Sequence, residues 1–85
     1  MQFHSLTAAY SHAVASLIRD CASTKALETL TNVIEPQYRA LRDMFIYMVP
    51  DANDKERPVM LRLLKTMADA YDRAHDEAFY RLTKI

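Results

Sequence analysis

The stretch MLRLLKTMADAYDRAHDEAFYRLTKI, residues 60–85, repeats apolar side chains at intervals of three and four residues. This spacing predicts one amphipathic α-helix, because positions three and four apart share a helix face. The helix is expected over residues 55–84, and its apolar stripe spans roughly 40 Å at about 1.5 Å per residue. The stripe consists of Met60, Leu63, Leu64, Met67, Tyr71, Ala74, Ala78, Leu82 and Ile85.

Two further stretches, residues 5–22 and 24–49, have the same spacing and predict two more helices. Pro36 lies inside the second of these, where it lacks the amide for a helical hydrogen bond. Because the apolar register continues in phase across Pro36, we expect one kinked helix rather than two. No strand alternation occurs. The predicted fold is therefore all-α, a three-helix bundle in which residues 1–85 form a single helical domain.

A short loop joins the second and third helices. Residues 50–54, PDAND, are the only run with loop composition, and their number suits a connection between antiparallel helices. Asn53 and Glu56 have the spacing of a capping box, and Pro58 is acceptable in a first helical turn. We therefore expect a long antiparallel helical hairpin. The side chains expected in the core are Tyr10, Val14, Leu17, Ile18, Leu27, Leu30, Ile34, Leu41, Phe45, Leu64, Met67, Tyr71 and Leu82.

Composition excludes several function classes. The 85 residues contain no glycine, so Gly-rich phosphate loops and nucleophile elbows are excluded, and a lone cysteine, Cys21, cannot form an intramolecular disulfide. The N-terminus lacks the basic start and apolar run of a signal peptide, and no segment reaches the length of a membrane span. We therefore expect a cytoplasmic protein that does not associate with membranes.

The residues that carry catalytic chemistry are sparse and scattered. Asp72, His75, Asp76 and Glu77 form the densest group of metal-ligand types, but one helix supplies them all, and a solvated polar face explains them. Cys21 lies on an apolar stripe, the usual place for a structural thiol, with no histidine in register to act as its base. We therefore expect no metal, no cofactor and no enzymatic activity, and a metal or thiol enzyme is only a third hypothesis.

The chain carries more apolar side chains near the hairpin loop than one core needs. Residues 44–49, MFIYMV, are apolar on every side of a helix, and residues 59–61, VML, form a second apolar run across the loop. Such a surplus predicts a surface that another protein covers. The predicted partner-binding residues are Met44, Tyr47, Met48, Val59, Met60 and Leu61.

The third helix is polarised in charge. Arg62 and Lys65 precede Asp69, Asp72 and Asp76, so two such helices in antiparallel contact would match opposite signs. This pattern predicts a two-fold homodimer with these five residues in its interface. The alternative interpretation is a solvated face with local ion pairs, which contribute little to stability.

Nucleic-acid binding is weakly indicated. Eleven basic residues balance eleven acidic ones, and Asp43, Asp51, Asp54 and Glu56 lie among the basic side chains around the hairpin loop, where they would repel phosphate. Residues 21–30, CASTKALETL, and residues 33–35, VIE, resemble the helical Hha/YmoA modulators, which act by binding the nucleoid protein H-NS. The resemblance covers about a third of the chain, and residues 68–73, ADAYDR, depart from that family's pattern. No residue role is carried over.

The sequence thus predicts a small non-enzymatic interaction protein. The expected classes are a regulator, an adaptor or an inhibitor, of the phage or plasmid type, that acts by binding a larger protein. The alternative is a nucleic-acid-associated transcriptional co-regulator that binds DNA weakly or through another protein.

Overall fold

The computed structural model describes residues 2–19 and 22–83, and these residues confirm the all-α fold class. Its four α-helices are α1 (Gln2–Arg19), α2 (Ser23–Thr29), α3 (Glu35–Met48) and α4 (Glu56–Leu82). A π-helical turn, Leu30–Ile34, joins α2 to α3, and a 3-10 turn, Val49–Asp51, follows α3. No strand occurs in the described ranges. The prediction for Cys21 lies outside the described residues.

The chain remains helical as it passes Pro36. The amide of Glu35 donates to the carbonyl of Leu30, five residues earlier, so a wide π turn lies directly before the proline. Thr29, Ile34 and Glu35 all have right-handed helical backbone angles. A π turn is one of the recognised ways in which a helix accommodates an irregularity in its hydrogen-bond ladder. The irregularity that Pro36 predicts therefore takes the form of a π turn, and α2 continues into α3 without a break.

Three hydrogen bonds between helices define how the helices run. The Tyr10 hydroxyl in the middle of α1 donates to the carbonyl of Met67 over 2.6 Å, and Arg81 near the end of α4 donates to the carbonyl of Ile18 near the end of α1. Helices α1 and α4 are therefore parallel. The Tyr71 hydroxyl of α4 donates to Glu35 at the start of α3 over 3.3 Å, while the end of α3 adjoins the start of α4, so these two helices are antiparallel. The molecule is elongated, 48 × 21 × 17 Å.

Most of the predicted core is buried. The expected side chains that are buried are Tyr10, Val14, Leu17, Leu30, Ile34, Leu41, Phe45 and Met67. Four others are partly buried and pack against them: Ile18, Leu27, Leu64 and Tyr71. The prediction for Leu82 is wrong, because its side chain is 44 % exposed near the end of α4. Three alanines complete the core, Ala26, Ala74 and Ala78, each with no exposed surface.

The start of α4 is capped as the sequence predicts. The Asn53 side-chain oxygen accepts hydrogen bonds from the amides of Glu56 and Lys55 at 2.8 and 3.0 Å, and the Glu56 carboxylate accepts one from the amide of Asn53 at 3.3 Å. This reciprocal pair is a capping box, which satisfies amides that have no partner within the helix. It holds the loop in the position from which α4 returns along α3.

Candidate functional site

The hairpin tip, defined as residues 44–61, exposes large apolar side chains. Tyr47 is 85 % exposed and Ile46 is 60 % exposed, although both lie within α3. Across the loop, Val59 and Leu61 are about half exposed in the first turns of α4. The hairpin tip therefore carries apolar surface that the core of this chain does not cover.

The six predicted partner-binding residues are divided among different environments. Tyr47, Met48 and Met60 line one hollow of about 380 Å³ with Asp51, Ala52 and Glu56. Met60 is only half-exposed because it also packs against the core. Met44 is half-buried and lies in a separate groove between α1 and α3, beside Leu6 and Ala40. Val59 and Leu61 are outside both depressions.

The exposed apolar side chains surround the hairpin tip instead of forming one flat face. Residues two apart on an α-helix are separated by about 200° around its axis. Val59 and Leu61 therefore lie on opposite flanks of α4, with Met60 between them directed at the core. A flat partner surface would contact only one flank, whereas a concave surface would contact both.

Two exposed apolar residues extend the predicted set. Ile46 belongs to the all-round apolar run of residues 44–49, and that run was the signal that could have identified it. Periodicity places Leu63 on the inward stripe, but its side chain is 46 % exposed. It lies one helical turn after Val59, so it extends the flank of α4 that Val59 begins.

The predicted dimer residues lie together on what we call the outer face of α4, and all five are exposed: Arg62, Lys65, Asp69, Asp72 and Asp76. Within this face the Lys65 ammonium lies 3.2 Å from the Asp69 carboxylate, an ion pair four residues apart. His75 Nδ1 lies 3.6 Å from the Asp76 carboxylate. The Lys65 and Asp69 charges are solvated, so their pair contributes little to the stability of the fold.

A polar and aromatic cluster closes the groove between α3 and α4. The rings of Tyr38 and Tyr71 are stacked with centroids 5.0 Å apart, and the Glu35 carboxylate pairs with Arg39 at 2.5 Å while it accepts the Tyr71 hydroxyl. Burial, and then the nearby negative charge of Glu35, raise the pKa of Tyr71 above its usual value. A phenol with a raised pKa is a poor nucleophile at neutral pH. The cluster holds the two helices together.

The metal-ligand types identified in the sequence do not assemble into a site. Across residues 2–19 and 22–83, no group of three or more His, Cys, Asp or Glu side chains could hold a metal ion. Nor is any polar residue other than tyrosine, or any charged one, buried as a whole in this part of the molecule, although the Gln37 Oε1 atom is buried without a hydrogen-bond partner. Asp72 and Asp76 belong to the outer face of α4, where solvent surrounds them.

Comparison of the chain with protein-family models, with curated proteins and with solved structures finds no match. Among the described helices, none combines the length and the apolar character needed to cross a membrane.

Proposed function

We propose that this chain is a small non-enzymatic interaction protein, a regulator, adaptor or inhibitor, whose hairpin tip inserts into a concave apolar surface of a larger protein. The observation that carries the proposal is the exposure of Tyr47, Val59 and Leu61 on different sides of one narrow tip. Each such side chain contributes about 1.5–3 kcal/mol when it leaves water completely. A partner that encloses the tip therefore gains more binding free energy than a partner that contacts a single flank.

The hairpin tip also has the polar rim that protein interfaces show around an apolar centre. Asp51 and Glu56 border the hollow beside Tyr47. The Arg57 side chain donates a hydrogen bond to the carbonyl of Ala52 over 3.0 Å, which fixes the conformation of the loop between α3 and α4 in the free chain. A rigid, aromatic anchor with a polar border is typical of the residues that dominate binding energy. Tyr47 is the residue that best meets this description.

A matched pair of variants tests the proposal. The tip variant carries Ile46→Ser, Tyr47→Ser and Leu61→Ser, and the control variant carries Phe79→Ser, Tyr80→Ser and Leu82→Ser at the other end of α4. The six replaced side chains are all 44–85 % exposed, so both variants should keep the helicity of the parent chain in circular dichroism. The tip variant should lose the partner, whereas the control variant should retain it.

The measurement is affinity capture from lysate of the native host, with the recovered protein quantified against the parent chain. A protein recovered at fixed stoichiometry by the parent chain and the control variant, and lost by the tip variant, supports the proposal. Equal recovery by the tip variant refutes it. Recovery of nucleic acid that falls steeply with salt would instead support the transcriptional co-regulator, because phosphate contacts release counterions.

A further inference from the structure

The outer face of α4 has a regular spacing as well as a polarised charge. Its five residues follow one another at steps of three, four, three and four. This spacing aligns them along the helix on the side opposite the buried Met67, Ala74 and Ala78. The first two members are positive and the last three are negative. The face therefore has the spacing of a helix-pairing seam, with the two signs in separate halves.

We propose that a second copy of this chain covers the outer face of α4 in antiparallel orientation, with Arg62 opposite Asp72 of the second copy and Lys65 opposite Asp69. A parallel arrangement would place like charges against each other. An antiparallel shift by four residues would place Asp69 against itself, and a shift by seven would place Asp69 against Asp72. Only the proposed register places an opposite charge across the interface from each of the four side chains Arg62, Lys65, Asp69 and Asp72. Because the dimer has two-fold symmetry, each of the two contacts occurs twice.

The centre of this arrangement suits close approach. The two-fold axis passes at the level of Met67, between Lys65 and Asp69, which already lie 3.2 Å apart within one copy. Across the axis the two pairs form a ring of four alternating charges, and networks of this kind contribute more than isolated surface pairs. The side chains that flank the axis, Thr66 and Ala68, are small. The Thr66 hydroxyl already donates to the carbonyl of Arg62, so it needs no partner in the interface.

The overlap of the two helices indicates a small interface and a weak dimer. In the proposed register, residues 56–78 of the two helices overlap, a length of about 34 Å at 1.5 Å per residue. With a helix diameter of about 10 Å, this overlap covers on the order of 350 Å² per copy, which is less than half of the roughly 800 Å² of a standard interface, so the charge pairs must supply most of the affinity. Because the centre is charged, we expect the dimer to weaken about tenfold or more between about 0.05 and 0.5 M salt.

Complementary charge reversal tests the proposal. One variant, Arg62→Glu with Lys65→Glu, makes the outer face wholly negative, and another, Asp69→Lys with Asp72→Lys, makes its central part wholly positive. Sedimentation equilibrium at low salt should show the parent chain at twice its 9.8 kDa mass and each variant alone at the single mass. An equal mixture of the two variants should recover the double mass, which also shows that both variants fold. A monomeric parent chain, variants that still dimerise, or a mixture that stays monomeric would overturn the proposal.

Cysteine cross-linking tests the register in a Cys21→Ala background. Lys65 of one copy lies opposite Asp69 of the other beside the two-fold axis, so an equal mixture of Lys65→Cys and Asp69→Cys should form a disulfide under mild oxidation. Arg62→Cys should not cross-link to itself, but it should cross-link to Asp72→Cys when the two variants are mixed. Self-cross-linking of Arg62→Cys would refute the antiparallel register. A variant with only Ile46→Ser and Tyr47→Ser changes no residue of the overlap, so its dimer should be unchanged, and the two proposals are tested separately.

Discussion

Replacement of Tyr10 by phenylalanine measures how strongly α1 is held to α4. The ring of Tyr10 is buried, with 1 % of its surface exposed, and its hydroxyl donates to the carbonyl of Met67 over 2.6 Å. Tyr10→Phe removes this oxygen and keeps the ring in place. The Met67 carbonyl lies inside α4, where the helical amide four residues later still donates to it. The substitution therefore leaves no buried polar group without a hydrogen-bond partner. The free energy of unfolding should then fall by about the net value of one hydrogen bond, about 1 kcal/mol.

The assay is urea unfolding followed by circular dichroism, with Tyr47→Phe as the matched control because Tyr47 is 85 % exposed. Tyr10→Phe should lower the free energy of unfolding by about 0.5–1.5 kcal/mol, which corresponds to a fall of roughly 4–8 °C in Tm per kcal/mol for a chain of this size. Tyr47→Phe should change neither quantity. Tyr10→Ala, which leaves a cavity, should cost about 3–5 kcal/mol. If Tyr10→Phe were as stable as the parent chain, the reasoning about this hydrogen bond would be refuted.

Three further predictions concern packing, capping and pH. Ala78→Leu should lower the free energy of unfolding by about 1–3 kcal/mol, because Ala78 has no exposed surface and a larger side chain would overpack the core. Ala9→Leu, on the exposed side of α1, should leave the midpoint of urea unfolding almost unchanged. Asn53→Ala should lower the thermal stability by about 1 kcal/mol through loss of the cap, and Asn53→Asp, which retains an acceptor, should not. Burial raises the pKa of Tyr10 and of Tyr71 above 10.0, so the folded chain keeps these protons at pH values where the unfolded chain loses them. The stabilisation that these two tyrosines contribute should therefore be fully present below about pH 10 and be lost as the pH rises above it, and Tyr10→Phe should make that fall shallower in pH-dependent urea unfolding.

Local features of the chain could be predicted because they depend on residues close in sequence. The apolar periodicity identified each helical region to within a few residues, and the spacing of Asn53 and Glu56 predicted the capping box that the structure shows. Pro36 predicted a kink, and a π turn lies directly before it. In each case the interacting groups are within about one or two helical turns of each other, so no knowledge of the other helices was needed.

For the candidate site, the sequence indicated an apolar surplus but not its arrangement. The run of residues 44–49 is apolar on every side, so some of it had to be exposed wherever α3 packed. Which members were exposed depended on where the neighbouring helices lie. The N-terminal part of α1 lies beside Met44, and Met60 is partly buried because it packs against the core. Ile46 and Tyr47 contact no neighbouring helix closely enough to be buried, so they are exposed to solvent.

Burial in the core likewise depends partly on the sequence pattern and partly on how the helices pack. By itself, the sequence determined that α4 is amphipathic and which stripe faces inward, because periodicity defines a direction around the helix axis. Only the tertiary structure decided that Ala74 and Ala78 are fully buried while Leu63 and Leu82 remain about half exposed. The physical reason is that burial is a property of contact between elements. A side chain on an apolar stripe is buried only where another helix covers it, and the coverage of α4 is set by the lengths and positions of α1, α2 and α3.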